Sequence, residues 1–566
     1  MDTLFTDITV FDGYRTLADC TVLVRDGRIV TLNAEPATTG VERVDGRGRT
    51  LLPGLIDSHV HMWAPLATTE AAVFGVTSAL DMFSPPVIAA QWDRGLPEVG
   101  PVTDVRTASY PATAPGGHGT EFGVDVPTVT GPADAEAFVA ARIAEGAAYI
   151  KIMYDTSHGA EHSIDERTLV ALVEAAHAQG RMAMVHVTIA ADAAVALAAG
   201  ADALMHVPVD AWQDASRLVG GVVVPTLTTL YNGFFPHKTG DVLDDRHLRP
   251  LLSQDSRDNL NQTWQIPDLW TFETAAENVR AARSAGATVL AGTDVGMPAT
   301  APGSSLHQEL ALLVHAGLSP REALVAATSA PAAVFGLRDR GRIAPGLRAD
   351  LLLVDGDPLT DIRHTRRIAG VWIAGQPVNH DAWQAHLAAR VEATADRPAP
   401  AGAEQGPVSD FADGTAATRW GAGLHAIAGA NSKAELSVEA DASSPSGHSL
   451  RIDTEVGDQR GFNPAYAGVL FRTTDTEADG VNLTTKRSVT VTARADEPTV
   501  AVVTVDAGFP PGKPAVLPVE LGVEHSTHVL PLTAFGQLDR SRVHSIGLNA
   551  VQPGSGRLHV AELRVD

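Results

Sequence analysis

His59 and His61 stand two residues apart in the apolar run Leu51 to Trp63, LLPGLIDSHVHMW. On a strand this spacing puts both imidazoles on one face, together with Asp57, while Ser58 and Val60 point the other way. Two adjacent nitrogen donors make one side of a clamp for a divalent metal. A single such pair among 21 histidines carries little weight. Four further strand-like runs, however, end in or carry a possible ligand: YIKIM with Lys151, MAMVHV with His186, ALMHV with His206 and VLAGTD with Asp294. A lysine ammonium has three donors and no acceptor, so Lys151 can ligate only after carbon dioxide has turned it into a carbamate. Its other reading is a buried ion pair with Asp155 or Asp294. A carbamate with two oxygens suits two metals about 3.5–4 Å apart. Imidazole nitrogens with a few oxygens favour zinc and also accept manganese, cobalt or iron.

Elements must bring these side chains together. Between Leu51 and Asp294 eight apolar runs begin near Leu52, Val76, Val105, Ala148, Met182, Ala203, Val222 and Thr288. Helical segments lie between them; the clearest, Asp165 to Gly180, shows a Ser163 to Glu166 capping box and apolar Leu169, Leu172, Val173 and Ala176. Ser319-Pro320-Arg321-Glu322 starts another in the same way. Alternating strands and helices imply an α/β fold with a parallel sheet, and polar groups at the carboxyl ends of the strands are how a (β/α)8 barrel presents its site. His177 lies within the first of these helices. His307 and His315 share HQELALLVH, whose spacing suits a helix face packed on the barrel, and His158 and His162 sit in the loop after the fourth strand. None of these five is read as a ligand.

These motifs, PGLIDSHVH, YIKI, VHV, MHV, AGTD and the closing ATSAPAAVFGL with GRIAPGLRADLLLVDGDP (Ala327 to Pro358), resemble the amidohydrolase superfamily over roughly Phe5 to Pro377. The likeness is to members that carry a carboxylated lysine and cleave amides of N-acyl amino acids, dipeptides and cyclic amides. It implies that His59, His61 and Asp294 hold the more buried metal, that His186 and His206 hold the other, and that N-carboxylated Lys151 bridges both. It further implies a hydroxide between two divalent ions, zinc by default, with Asp294 taking its proton and passing it to the leaving amine.

Substrate choice lies in the loops after the strands. His118, in SYPATAPGGHGT after the third strand, and Tyr231, in PTLTTLYNG after the seventh, match places where similar amide-cleaving enzymes bind a substrate carboxylate or carbonyl. Tyr154, just beyond Lys151, is a third candidate. The reading is therefore hydrolysis of an N-acyl amino acid, an Xaa-Pro-like dipeptide or a related aromatic amide. A cyclic-amide or imidazolone hydrolase, or a deaminase, fits the same scaffold; mononuclear deaminases lack a bridging lysine, which weighs against them. An inert barrel serving a glycan-binding module is the reading from another class, opposed by six intact ligands.

The ends of the chain form further units. Residues 1–52 alternate apolar and polar, and Val22 to Val30 reads as a hairpin whose Asp26-Gly27 turn favours type I′ geometry. With residues 341–390 this segment is expected to make a composite β-sandwich beside a barrel of residues 53–340. From Arg397 the sequence becomes rich in proline, alanine and glycine, a linker placed at 391–410. Residues 411–566 hold short alternating runs, among them AELSVE, SLRIDT, SVTVTAR, TVAVVTVD and RLHVAELRV, expected as a β-sandwich that resembles galactose-binding jelly rolls. Trp420, Phe462, Tyr466 and Phe471 are its candidate sugar platform, although a structural or oligomer-contact role suits them better.

At 566 residues the chain is too long for one core. Asp plus Glu number 67 against 42 Lys plus Arg, a formal charge of −25, which argues against nucleic acid and anionic membranes as partners. It leaves room for a small-molecule amide and for a homo-oligomer. No basic segment leads into an apolar stretch at the N-terminus, and no run reaches the ~18 apolar residues of a span. One cysteine, Cys20, excludes an intramolecular disulfide and suits a reducing cytoplasm.

Overall fold

The computed structural model describes the chain except residues 1, 34–39, 65, 121–125, 157–161, 213–217, 236–239, 263–270, 396–405, 421–422, 429–431, 457–465, 474–479, 507–514, 536–539 and 541–542. It divides into two compact units. The first comprises Met1–Ala114, Asp125–Gly159 and Ser163–Arg390; the second comprises Pro115–Val124, Ala160–His162 and Val391–Asp566.

In the first unit the apolar runs become parallel strands. We number them β1 (Leu55–Val60), β2 (Val76–Asp81), β3 (Asp104–Thr107), β4 (Ile150–Met153), β5 (Ala183–His186), β6 (Ala203–Met205), β7 (Val222–Val224) and β8 (Thr288–Val289). β1 to β3 form one parallel sheet and β4 to β8 another. Backbone bonds join the two sheets at both edges. At one seam Ala148 N–H donates to Thr107 O (2.8 Å) and Ala112 N–H to Lys151 O (2.9 Å). At the other, Ser58 N–H donates to Ala291 O (2.9 Å) and His61 N–H to Val295 O (2.6 Å). Strands buried on both faces need near-continuous apolar sequence, and β1, β2, β4 and β5 are buried at every position.

Helices cover the sheets. The one from Glu166–Ala178 buries Leu169, Leu172, Val173 and Ala176 as the periodicity requires. Its cap differs from expectation. Asp165, not Ser163, is the N-cap and accepts from Thr168 N–H, while Ser163 Oγ accepts from Asp155 N–H instead. The helix Pro320–Ala326 starts with the expected capping box between Ser319 and Glu322. On the helix Ser304–His315, His307 is buried and bonds Phe74 O (2.9 Å), whereas His315 is exposed beside Glu273 rather than packed on the strands.

The run from Leu52 also divides. Arg49–Pro53 pairs antiparallel with Leu351–Asp355 in a separate eight-stranded sheet, and β1 begins only after Gly54. A side chain at Gly54 would meet Thr77 at 2.3 Å, so the crossing between the two sheets requires glycine. In the hairpin of Thr16–Arg25 and Arg28–Leu32, Asp26 (φ 51°) and Gly27 (φ 74°) take the I′ conformation. Phe5 and Trp372 lie on strands separated by two others, yet their rings meet at 4.8 Å, so this sheet curls over itself around its own apolar cluster.

The second unit holds a six-stranded and a five-stranded antiparallel sheet, with every alternating run named above as a strand. Leu450 and Ile452 of one share a core with Val469 and Phe471 of the other. The expected linker is shorter than 391–410. A helix continues to Ala395 and a strand begins at Gly406, because the alanine-rich segment before the prolines still supports a helix. Trp420 is half-buried against the core, and Phe471 is fully buried and offers no open ring face; Phe462 lies outside the described residues. No helix among the described residues is long and apolar enough to cross a membrane.

Candidate metal centre

The carboxyl ends of β1, β4, β5, β6 and β8 bring His59, His61, Lys151, His186, His206 and Asp294 together. Asp294 Oδ1 lies 3.2 Å from His59 Nε2 and 3.0 Å from His61 Nε2. The His206 ring is 4.8 Å from that of His59 and 4.6 Å from that of His186. His59, His206 and Asp294 offer ligand atoms all within 4.8 Å of one another. Asp57 shares the face of His59 but bonds elsewhere. It accepts from Thr293 N–H (3.0 Å) and Thr293 Oγ1 (2.7 Å), tying β1 to the segment that carries Asp294.

The donor set calls for a cation. His61 Nδ1–H can donate to Phe83 O at 3.3 Å, and in that tautomer Nε2, 3.0 Å from Asp294 Oδ1, keeps a lone pair for a cation. Among the described residues neither ring nitrogen of fully buried His59 has a hydrogen bond. In that tautomer the lone pairs converge on one carboxylate oxygen, an arrangement that a positive ion among them stabilises. His206 is set likewise. Thr226 Oγ1 donates to Pro225 O (2.8 Å) and can therefore only accept from His206 Nδ1–H (2.6 Å), which leaves Nε2 of His206 as the donor atom for a metal.

Backbone geometry concentrates at these positions. His206 (φ 77°), Thr226 (φ 51°) and Asp294 (φ 59°) all adopt the left-handed conformation, rare for a residue with a side chain and frequent at functional sites. Glu309 holds Thr226 in place by accepting from Leu227 N–H (3.1 Å) and Thr228 N–H (2.7 Å), the first amides of the helix Leu227–Phe234. Burial pushes the Glu309 carboxyl up to about 8 from an ordinary 4.5. Between those values the folded chain keeps a proton that the unfolded chain releases, so its contribution to stability is full below the lower value and lost as pH rises through the upper. Glu309→Gln cannot ionise. Its melting temperature relative to the wild type should therefore rise by several degrees between about pH 5 and about pH 9; a flat difference in a thermal scan series would contradict this.

Burial also lowers Lys151, to about 7, against the opposing pull of Asp294. Among the described residues Lys151 makes no ion pair; Asp155 instead takes Thr188 Oγ1 (2.6 Å) and faces His186 Nε2 (3.3 Å). His59 is held well below the usual imidazole range by burial, with Lys151 and the other histidines adding to it.

The substrate-side candidates separate. Tyr154 is buried and its N–H donates to His186 O (3.2 Å), which keeps it beside the cluster. Tyr231, on the helix Leu227–Phe234, contacts Phe235 (4.9 Å) just past that helix and Phe272 (5.1 Å) at the start of another. His118 belongs to Pro115–Val124, which groups with the second unit; His162 groups there too, and His158 lies outside the described residues. Sequence reading missed Thr226, Glu309 and an aromatic group beside His61. Trp63 continues the alternation of His59 and His61, a signal that was available.

Parallel strands with imidazoles and a carboxylate gathered at their carboxyl ends define an enzyme-type metal site in an α/β fold. The amidohydrolase family model matches residues 50–378, and the chain belongs to the amidohydrolase family. It is 43% identical to an imidazolonepropionase of Deinococcus deserti over 102 residues, 18% of this chain and 23% of that protein. It is also 43% identical to adenine deaminase 2 of Desulfotalea psychrophila over 70 residues, 12% and 11% of the two chains. The chain thus spans less than a quarter of these curated relatives. Among solved structures, a putative prolidase from Bifidobacterium longum aligns with a TM-score of 0.53 and 25% identity, over 68% of this chain and 99% of that one. A Xaa-Pro dipeptidase with bound methionine aligns with a TM-score of 0.54 and 21% identity, over 67% and 99%.

Proposed function

We propose that the chain is a metal-dependent hydrolase cleaving the amide C–N bond of a small molecule such as an N-acyl amino acid or an Xaa-Pro-like dipeptide. The observation that carries this reading is the convergence of His59 Nε2 and His61 Nε2 on one oxygen of Asp294, at 3.2 and 3.0 Å, beside His206. The eight parallel strands are read as a closed (β/α)8 barrel, and the second unit as a jelly-roll sandwich with a structural or subunit-contact role.

His59, His61 and Asp294 would hold one divalent cation, and His186 and His206 a second, with zinc as the default among the metals such donors accept. Lys151 would join them after its amine, brought by burial to about 7 so that a large share is unprotonated at neutral pH, adds to carbon dioxide: an N–C bond forms, a proton leaves, and two carboxylate oxygens replace a donor group. Bound cations supply Lewis acidity toward water and the scissile carbonyl. Asp294 is placed to accept the proton of the attacking water and to return it to the leaving amine. The protonated Nδ1 atoms of His61 and His206, fixed by Phe83 O and Thr226 Oγ1, keep both Nε2 atoms aimed inward.

The test is a chromatographic screen of dipeptides, N-acyl amino acids and lactams with protein stripped by chelator and reloaded with zinc in bicarbonate. Hydrolysis of linear amides that vanishes on stripping and returns with two ions per chain is expected. Turnover of lactams or aminated rings alone would favour the cyclic-amide or deaminase reading, which the segments shared with imidazolonepropionase and adenine deaminase support.

A further inference from the structure

Beside the candidate ligands stands a group of aromatic side chains that neither the metal nor the proton transfers use. Trp63 follows His61 by two residues, past the end of β1, and is half-buried. Its ring lies 5.9 Å from that of His61 and meets Phe83 edge-on at 5.4 Å. Phe83 is buried and lies 6.1 Å from Tyr110, whose ring carries the Arg142 guanidinium at 5.3 Å. Arg142 is itself fixed by Glu145 at 2.6 Å. The indole is thus backed by an ordered layer and costs little further entropy when a ligand covers it.

Its polar atom is already engaged. Trp63 Nε1–H donates to Phe83 O at 2.6 Å, so the ring offers a ligand apolar surface and no donor. A cation would also find an indole attractive, but a site holding divalent ions is locally positive and repels a second charge at that distance. A flat, uncharged, apolar group remains. Ring centroids attract over roughly 4.5–7 Å, the range already spanned between His61 and Trp63.

Resting on the reading of the site as an amide-cleaving centre, we infer that Trp63 is a specificity residue and that the favoured amides carry an aromatic ring next to the scissile bond. Phe83 and Tyr110 support the indole from behind. An aromatic contact of this kind is worth about tenfold in kcat/KM over a methyl group.

Four amides test it with zinc-loaded full-length protein: N-benzoylglycine against N-acetylglycine, and N-acetylphenylalanine against N-acetylalanine. The wild type should prefer the phenyl member about tenfold or more on at least one side of the bond. Trp63→Ala should collapse that ratio while keeping the metal content, and Trp63→Phe should retain most of it. Equal kcat/KM within both pairs, or a ratio that survives Trp63→Ala, overturns the inference and leaves amide hydrolysis standing. Loss of metal from Trp63→Ala would make the indole a prop for His61 and overturn it as well. Failure of all four amides while lactams turn over strikes the linear-amide reading itself.

Discussion

Asp294→Asn is expected to lower amide turnover by about a thousandfold while the zinc content stays near that of the wild type. The carboxylate is needed twice. Its Oδ1 sits 3.0 Å from His61 Nε2 and 3.2 Å from His59 Nε2, where a neutral amide oxygen can still approach a cation. An amide oxygen cannot hold a proton at pH 7, however, and the relay from water to leaving amine stops. Asparagine is the right probe because residue 294 has φ 59°, a conformation that asparagine adopts at less cost than most residues with a side chain, so backbone strain adds little to the result. Steady-state rates and metal analysis on the same preparation decide it. A variant within tenfold of the wild type at full metal content would remove Asp294 from proton transfer.

Lys151→Met should reduce the bound metal from two ions to about one per chain and lower turnover by at least about a hundredfold. The strand itself should tolerate the change. Lys151 is paired in register with Met184 inside a sheet, is fully buried, and keeps its amine only by a depressed pKa of about 7. Methionine fills the same unbranched space without a polar atom, so thermal stability of the metal-free protein should be equal or higher. Equilibrium dialysis against zinc measures the stoichiometry. Two ions bound at unchanged affinity, with normal turnover, would sink the bridging role.

Much of this site was legible along the chain. The alternation of His59 and His61, and four later runs each ending near one polar group, named six residues that the strands do gather. Apolar runs reveal strands because the rows buried on both faces leave little choice of residue. What lay hidden depends on pairs far apart in sequence. Nothing near Thr226 announces that its hydroxyl meets His206, and nothing near Glu309 announces the amides of Leu227 and Thr228. Tyr231 was a substrate candidate by position, and its ring contacts with two phenylalanines, one 41 residues further along, could not be read from its own segment. The break at Gly54 was equally hidden, since Leu51 to Ile56 carries no polar side chain and the approach of Thr77 divides it. His118 was placed by its glycine-rich loop, whose sequence says nothing of which unit it joins.

One carbonyl oxygen, that of Phe83, serves both the imidazole of His61 and the indole of Trp63. The same peptide group therefore sets the tautomer of a ligand and the pose of a neighbouring ring. A lineage that drifts toward new substrates by reshaping the turn after β2 would loosen its grip on the ion in the same step, whereas exchange of the ring at position 63 leaves that carbonyl where it is. Diversification should consequently run through residue 63 long before it touches the backbone at 83.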